Sequence, residues 1–89
     1  MIRGDAWTID LFMTEDDGET RAETLLRCGS GREVRGTGVA RCDRHDYDIP
    51  EIGAEVAASR ALADLAHRLR RTAADDIETV TGVRARVHP

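Results

Sequence analysis

The N-terminal half of the chain alternates apolar and polar residues with the period of two that is typical of half-buried β-strands. Every second residue from Trp7 to Met13 is apolar. The dipeptide Asp17-Gly18 follows and favours a type I′ turn, because both central residues of that turn have positive φ. We therefore predict a hairpin whose cross-strand pairs on one face are Met13 with Ala22, Leu11 with Thr24, and Ile9 with Leu26.

A second hairpin is indicated by Gly29-Ser30-Gly31. A three-residue loop places the small residues Gly36 and Gly38 on the face of the first apolar row, whereas a four-residue loop would place Arg35 and Arg41 there. Burial of two arginines is costly, so the shorter loop is preferred, with Gly31 as its left-handed residue. The pattern predicts an antiparallel meander of three strands near residues 6–14, 20–28 and 32–41.

The C-terminal half changes to helical spacing. Asp48 and Glu51 resemble a capping box, and a long amphipathic helix is predicted over residues 50–71. Its small-residue inner side would lie over Gly36 and Gly38, with Glu55 on the inner arc beside an arginine of the sheet or of a second copy. The predicted inner row is Ile52, Val56, Ser59, Leu62, Ala63, Ala66 and Leu69, and the predicted outer ladder is Arg60, Asp64 and Arg68.

Thr72 and Asp75 predict the start of a second, short helix from Ala73 to about Thr81, closed by Gly82. The tail then alternates, which favours a short edge strand. The predicted class is α+β: one domain over residues 1–89, with a β-β-β-α-α order and the long helix packed on one face. The sheet covers about residues 6–41, the helical half about 50–81, and the tail 82–89.

The balance of acidic and basic side chains limits the classes of function that the chain can have. The chain has 89 residues, 17 acidic and 13 basic side chains, and a net charge of −4, and every basic side chain is arginine. This balance argues against a protein that coats nucleic acid indiscriminately. The segments 27–45 and 60–71 are nevertheless locally basic, so a basic surface remains possible. No long apolar run or signal-peptide pattern is seen, and we expect a cytoplasmic protein without membrane contact.

Candidate catalytic and metal sites are weak. Cys42 and His45 are three residues apart in a polar connection, without an evident orienting group. The two ligands fall short of a zinc set, and Cys28 lies far along the sheet. The carboxylates of this connection, Asp43, Asp46 and Asp48, lack the glycine and terminal glutamate of an EF-hand loop. We expect no enzyme activity, no metal and no cofactor.

Two surfaces are left as candidates. The sheet face turned away from the helix carries arginines around three apolar residues. It is either a solvated face with ion pairs such as Arg27 with Glu33, or a partner surface. Arginines at the predicted end of the long helix suit either the helix dipole or a phosphate contact. The candidates for RNA or partner binding are Arg21, Arg27, Arg35, Arg41, Arg68, Arg70 and Arg71. The candidates for a dimer interface are Phe12, Leu25, Val39, Val83, Ala85 and Val87.

Five short blocks, spread from Trp7 to Thr81, together resemble a small actinobacterial family of unknown function whose mycobacterial members include a dormancy-induced protein. The blocks are Thr20-Arg21-Ala22, Gly36-x-Gly38-x-Ala40-Arg41, Pro50-Glu51-Ile52-Gly53-x-Glu55, Arg60-Ala61-Leu62-x-Asp64-Leu65 and Asp76-Ile77-Glu78-x-x-Thr81.

The resemblance implies a double-stranded-RNA-binding-domain-like (dsRBD-like) fold, a homodimer, and a likeness to ribosome hibernation factors. Two functional hypotheses follow. The first is a stress- or dormancy-associated translation modulator that binds the ribosome or its RNA. The second is a homodimeric protein-interaction module with no nucleic-acid role.

Overall fold

The computed structural model describes residues 1–41 and 50–89, which form three strands followed by one helix. The strands are β1 (Thr8–Asp16), β2 (Glu19–Arg27) and β3 (Glu33–Arg41), and they form one antiparallel sheet in the order β1-β2-β3. The helix α1 spans Pro50–Thr81. The α+β prediction is confirmed, and the predicted strand limits differ from these by at most two residues.

Both hairpins form in the predicted register. Asp17 and Gly18 have φ values of 47° and 76°, as a type I′ turn requires, and Met13 pairs with Ala22. In the second loop Gly31 has a φ of 89°, and its N–H donates to the carbonyl of Cys28. The three-residue loop is therefore correct, and it places Gly36 and Gly38 on the helix side of the sheet.

The helix packs directly onto the glycines of β3. A Cβ atom added at Gly36 would lie 2.6 Å from the carbonyl oxygen of Ala61 and 2.6 Å from the amide nitrogen of Leu65. A Cβ atom at Gly38 would collide with the same helix one turn earlier. The missing side chains allow the backbones to approach closely, as the sequence predicts. Small buried residues fill the contact: Ala22 and Ala40 from the sheet, and Ala57 and Ala61 from the helix.

The predicted inner row of the helix is wrong in phase. The residues that face the sheet are Gly53, Ala57, Ala61 and Leu65, all of which are buried. Most of the predicted row, including Ile52 and Leu62, is exposed, and Glu55 is exposed as well rather than on the inner arc. The cause is physical: close packing on glycine selects the smallest side chains for the contact, and the larger aliphatic residues are displaced to the flanks.

The helix is continuous through the predicted break. The hydroxyl of Thr72 donates to the carbonyl oxygen of Arg68, one turn earlier, and so does not cap a new helix. A 32-residue helix is about 48 Å long, and it sets the longest dimension of the molecule, 52 Å. A nine-residue strand spans only about 31 Å, so the last turns of α1 extend beyond the sheet.

The tail forms no strand in the described part of the chain. Residues 84–89 instead lie along the C-terminal half of α1, and Ala85 and Val87 are half-buried there. The predicted Cys42–Asp48 connection lies outside the described residues. The predictions that concern the Asp48 cap, the Cys42–His45 pair and the carboxylates Asp43, Asp46 and Asp48 therefore also lie outside the described residues.

Candidate interaction surfaces

Side chains of the helix bond to the backbone at one edge of the sheet, the β3 edge. At the β3 edge the N–H of Thr37 donates to a carboxylate oxygen of Asp64 at 2.8 Å. The guanidinium of Arg60 donates to the carbonyl oxygen of Val39 at 2.6 Å. These two helix side chains occupy backbone groups that an added strand would need, so the β3 edge is capped. The predicted i,i+4 contact of Asp64 with Arg68 forms. The bonds of Arg60 and Asp64 to β3 nevertheless place this row at the β3 edge and not on the outer side of the helix, which corrects that part of the prediction.

The cap is held in its ionised form. The Thr37 N–H lowers the pKa of Asp64 below its ordinary value of 3.8, and the guanidinium of Arg68, whose Nε lies 3.1 Å from the carboxylate, lowers it further. Arg68 is thus engaged by its own helix, one turn from Asp64. Of the predicted binding arginines at the helix, Arg68 has a structural partner.

The β1 edge has no such cap in the described residues. In a two-residue hairpin the closing pair, here Asp16 with Glu19, exchanges hydrogen bonds, and hydrogen-bonded pairs then alternate along the strand. Every residue of β1 is exposed. The residues whose N–H and C=O groups point away from β2 are therefore Ile9, Leu11, Met13 and Glu15.

Beside this edge lies an exposed apolar trough, which we define as Ile9, Leu11 and Met13 of β1 with Ala54, Ala58 and Leu62 of α1. The β1 members lie on the helix side of the sheet and are 51, 39 and 47% exposed. Ala54 lines a shallow cavity of about 320 Å³ with Met13. Ala58 and Leu62 follow Ala54 along the same stripe of the helix. The trough exists because α1 packs over β2 and β3 and leaves β1 uncovered.

The open face, the sheet face turned away from the helix, holds the predicted dimer residues of the sheet. Phe12 is 60% exposed, but Leu25 is only 8% exposed and Val39 is half-buried. Phe12 pairs across the strands with Glu23, and Leu25 lies between Asp10 and Arg35. The structure therefore leaves Phe12 as the only large apolar side chain strongly exposed on this face among the described residues.

The predicted arginines of the open face are all exposed, and two of them have ionic partners. Arg41 lies 2.9 Å from its cross-strand neighbour Glu19, and Arg35 lies 3.5 Å from Glu33. Glu33 thus bonds to Arg35 rather than to Arg27, its predicted partner. Within the described residues Arg21 and Arg27 form no ion pair. The face carries these arginines among five carboxylates: Asp10, Asp16, Glu19, Glu23 and Glu33.

A basic cleft, which the sequence reasoning did not find, lies where the tail folds back on α1. Its cavity volume is about 470 Å³, and its basic lining residues are Arg70, Arg71, Arg84, Arg86, His67 and His88. The available signal was the pair of arginine clusters at residues 70–71 and 84–86. The predicted helix end at residue 71 and the predicted strand at the tail do not bring these two clusters together.

No cluster of three or more His, Cys, Asp or Glu side chains forms a metal-binding group over residues 1–41 and 50–89. Cys28 is half-buried and packs against Leu26, Val34 and Leu65. No helix of the described chain is long and apolar enough to cross a membrane.

Comparison with known proteins finds similar sequences in mycobacteria. The uncharacterized protein Mb1767 of Mycobacterium bovis is 42% identical over 81 residues, which cover 91% of this chain and 85% of that protein. The uncharacterized protein Rv2632c of Mycobacterium tuberculosis is 41% identical over 78 residues, covering 88% and 83%. The crystal structure of Rv2632c superposes with a TM-score of 0.81 at 39% identity, covering 92% of this chain and 96% of that one. The model of the Rv2632c-like family matches residues 5–86, and the chain belongs to that family.

Proposed function

We propose that this protein is a homodimeric interaction module that assembles through the free edge of β1. The observation that carries the proposal is the asymmetry of the sheet. The helix caps the β3 edge through Asp64 and Arg60, whereas no residue of 1–41 or 50–89 covers the nine-residue edge strand β1. Long, exposed edge strands with apolar neighbours pair readily with another chain.

The β1 sequence is self-complementary in one antiparallel register, centred on Phe12. Leu11 then lies opposite Met13 of the second copy, and Ile9 lies opposite Glu15. All four residues with outward-pointing backbone groups enter hydrogen-bonded pairs in this register. No carboxylate faces another carboxylate. Shifting the centre to Asp10 would place the two Asp10 side chains opposite each other, which is unfavourable.

The proposed pairing also covers apolar surface. A two-fold axis perpendicular to the sheet places both helices on the same face, so the two apolar troughs meet at the new junction. On the open face, Phe12 meets its own copy in a non-hydrogen-bonded pair, where side chains are closest. A six-stranded sheet results, and its outer edges are the two capped β3 strands.

Light scattering coupled to size exclusion tests the proposal. We expect the wild-type chain to have about twice the 9.8 kDa mass of one copy. Leu11→Asp places a carboxylate in the trough and is expected to give a monomer. Ile77→Asp is the matched control, because Ile77 is similarly exposed, at 43%, but lies on the helix beyond the sheet.

Deletion of residues 83–89 separates this interface from one made by the tail, and we expect the deletion variant to remain dimeric. A wild-type monomer at 100 µM protein, or equal dissociation by Leu11→Asp and Ile77→Asp, would contradict the proposal. Loss of the dimer on tail deletion alone would move the interface to Val83, Ala85 and Val87.

A second candidate function is the stress- or dormancy-associated translation modulator that binds the ribosome. Its support in the fold is the pair of exposed arginines Arg21 and Arg27, which lack ionic partners in the described residues. This function predicts cosedimentation with ribosomes that weakens steeply as salt rises. The double variant Arg21→Ser/Arg27→Ser should lose cosedimentation, and an absence of wild-type cosedimentation at low salt would exclude this function.

A further inference from the structure

Arg70 and Arg71 lie inside helix α1 and form no ion pair with any other residue that the structure describes. The predicted helix end at residue 71 puts both side chains in the last turn, where the negative end of the helix dipole would favour their positive charge. Helix α1 instead continues for ten more residues to Thr81, and its last turn has no basic residue. The dipole explanation therefore fails for both side chains.

The same arginines meet two more from the tail. Arg84 and Arg86 line the basic cleft opposite the helix, with His67 and His88 at its sides. Within the described residues none of the four arginines forms an ion pair. Two nearby arginines do have ionic partners: Arg32 binds Asp76 at 2.6 Å, and Arg68 binds Asp64.

Two acidic side chains also line the cleft, Asp75 and Glu78, and both are exposed. Among the side chains, four guanidinium groups therefore outnumber two carboxylates, and the lining has a positive excess in a protein of net charge −4. Concentrated positive charge in a concave site attracts anions more strongly than the same charge on a flat surface. Guanidinium forks match phosphate oxygens with two parallel hydrogen bonds.

We propose that the basic cleft binds a short polyphosphate chain, either free or as part of a nucleotide. The volume of about 470 Å³ lies within the range of small-ligand sites, roughly 300–1,000 Å³, and is small for a structured nucleic acid. Arg70 and Arg71 hold the chain from the helix, and Arg84 and Arg86 close over it from the tail. Ala74, Ala85 and Val87 supply the apolar part of the lining.

Isothermal titration calorimetry of the full chain with sodium tripolyphosphate, ATP and adenosine tests the proposal, with EDTA present to remove divalent cations. We expect tripolyphosphate and ATP to bind and adenosine not to bind. Equal affinity for the two phosphates identifies the polyphosphate chain as the recognised part, and at least tenfold tighter binding of ATP assigns the site to a nucleotide. NMR shifts on titration should fall at residues 67–78 and 84–88.

Arg84→Ser/Arg86→Ser is the test variant, because the tail lies outside the two core clusters and the chain should still fold. Arg21→Ser/Arg27→Ser removes the same charge from the open face and is the matched control. We expect at least tenfold weaker binding in the cleft variant and less than twofold in the control. Equal losses in both variants, or no binding of either phosphate by wild type, would overturn the proposal.

A twelve-nucleotide single-stranded RNA with a 5′-hydroxyl separates the site from a nucleic-acid surface. Tight RNA binding without tripolyphosphate binding would overturn the assignment to a small polyphosphate. The lining of the cleft comes from α1 and the tail and includes no residue of β1, so the Leu11→Asp monomer should bind tripolyphosphate like wild type. Failure of the dimer proposal would therefore leave this result unchanged.

Discussion

Replacing Gly38 with alanine tests whether contact between glycine and the helix backbone determines the fold. A Cβ atom at this position would lie less than 3 Å from three helix atoms: the amide nitrogen of Ala61, the carbonyl oxygen of Ala57 and the carbonyl carbon of Arg60. All three are backbone atoms, so no side-chain rotation relieves the overlap. The whole helix must move away from β3, which would also strain the hydrogen bonds of the β3 cap.

The magnitude follows from two opposing effects. Overpacking of a filled core costs about 1–3 kcal/mol, and the rigid obstruction here favours the upper end. Glycine in a strand is about 0.5–1 kcal/mol less favourable than alanine, which partly offsets the cost. We expect a net destabilisation of about 2 kcal/mol, which corresponds to a fall in Tm of about 8–16 °C for a domain of this size.

The assay is thermal unfolding followed by circular dichroism at one fixed protein concentration, because the proposed dimer would make Tm depend on concentration. Gly53→Ala is the control. Its Cβ atom would lie 3.1 Å from the hydroxyl of Thr20, which is a rotatable side-chain atom, and alanine is favoured in a helix by up to about 1 kcal/mol. We expect Gly53→Ala to unfold at an equal or higher temperature than wild type. A Gly38→Ala Tm at or above the wild-type value would refute the packing argument.

Three further predictions concern the edge cap, the dimer register and the helix extension. Because folding lowers the pKa of Asp64, the ionised carboxylate stabilises the fold above about pH 4, and this stabilisation is lost as the pH falls through the lower folded pKa. The Tm of Asp64→Asn should therefore fall less than the wild-type Tm between pH 5 and pH 2. Phe12→Cys should form an intermolecular disulfide faster than Thr8→Cys under the same oxidant. The reason is that Cα atoms in a non-hydrogen-bonded antiparallel pair are about 4.5 Å apart, which is within the range that a disulfide can bridge. Equal rates would reject the proposed register. Arg32→Ala removes the bond to Asp76 and should raise hydrogen exchange in residues 72–81 without changing exchange in β2.

The sheet could be read from the sequence because its determinants are local. Asp17-Gly18 allows one turn geometry, and the alternation around it leaves one register that buries the apolar row. The second hairpin needed one further argument, the cost of burying Arg35 and Arg41. All of this information lies within a few residues of each turn.

The phase and length of the helix could not be read in the same way. Helical periodicity marks the large aliphatic side chains, but contact with Gly36 and Gly38 selects the row of Gly53, Ala57 and Ala61 instead. The choice depends on the sheet, far away in sequence. The break at Thr72 was predicted from a capping pattern, yet the hydroxyl bonds back to the preceding turn. The predicted break at Thr72 also explains why the sequence does not predict the basic cleft, because it assigns the arginines of the cleft on α1 to a helix end.

The position of the two glycines also explains why the helix leaves β1 exposed. A helix is about 10 Å wide and strands lie about 4.8 Å apart, so one helix covers about two strands. Because the helix contacts Gly36 and Gly38, it lies over β3 and β2, and its flank reaches the β3 edge, where Arg60 and Asp64 bond to the strand. Within residues 1–41 and 50–89, β1 then receives neither helix cover nor an edge cap. The close contact that stabilises the monomer is thus the same feature that leaves β1 exposed. The proposed pairing with a second β1 would satisfy the edge and cover the trough without moving the helix.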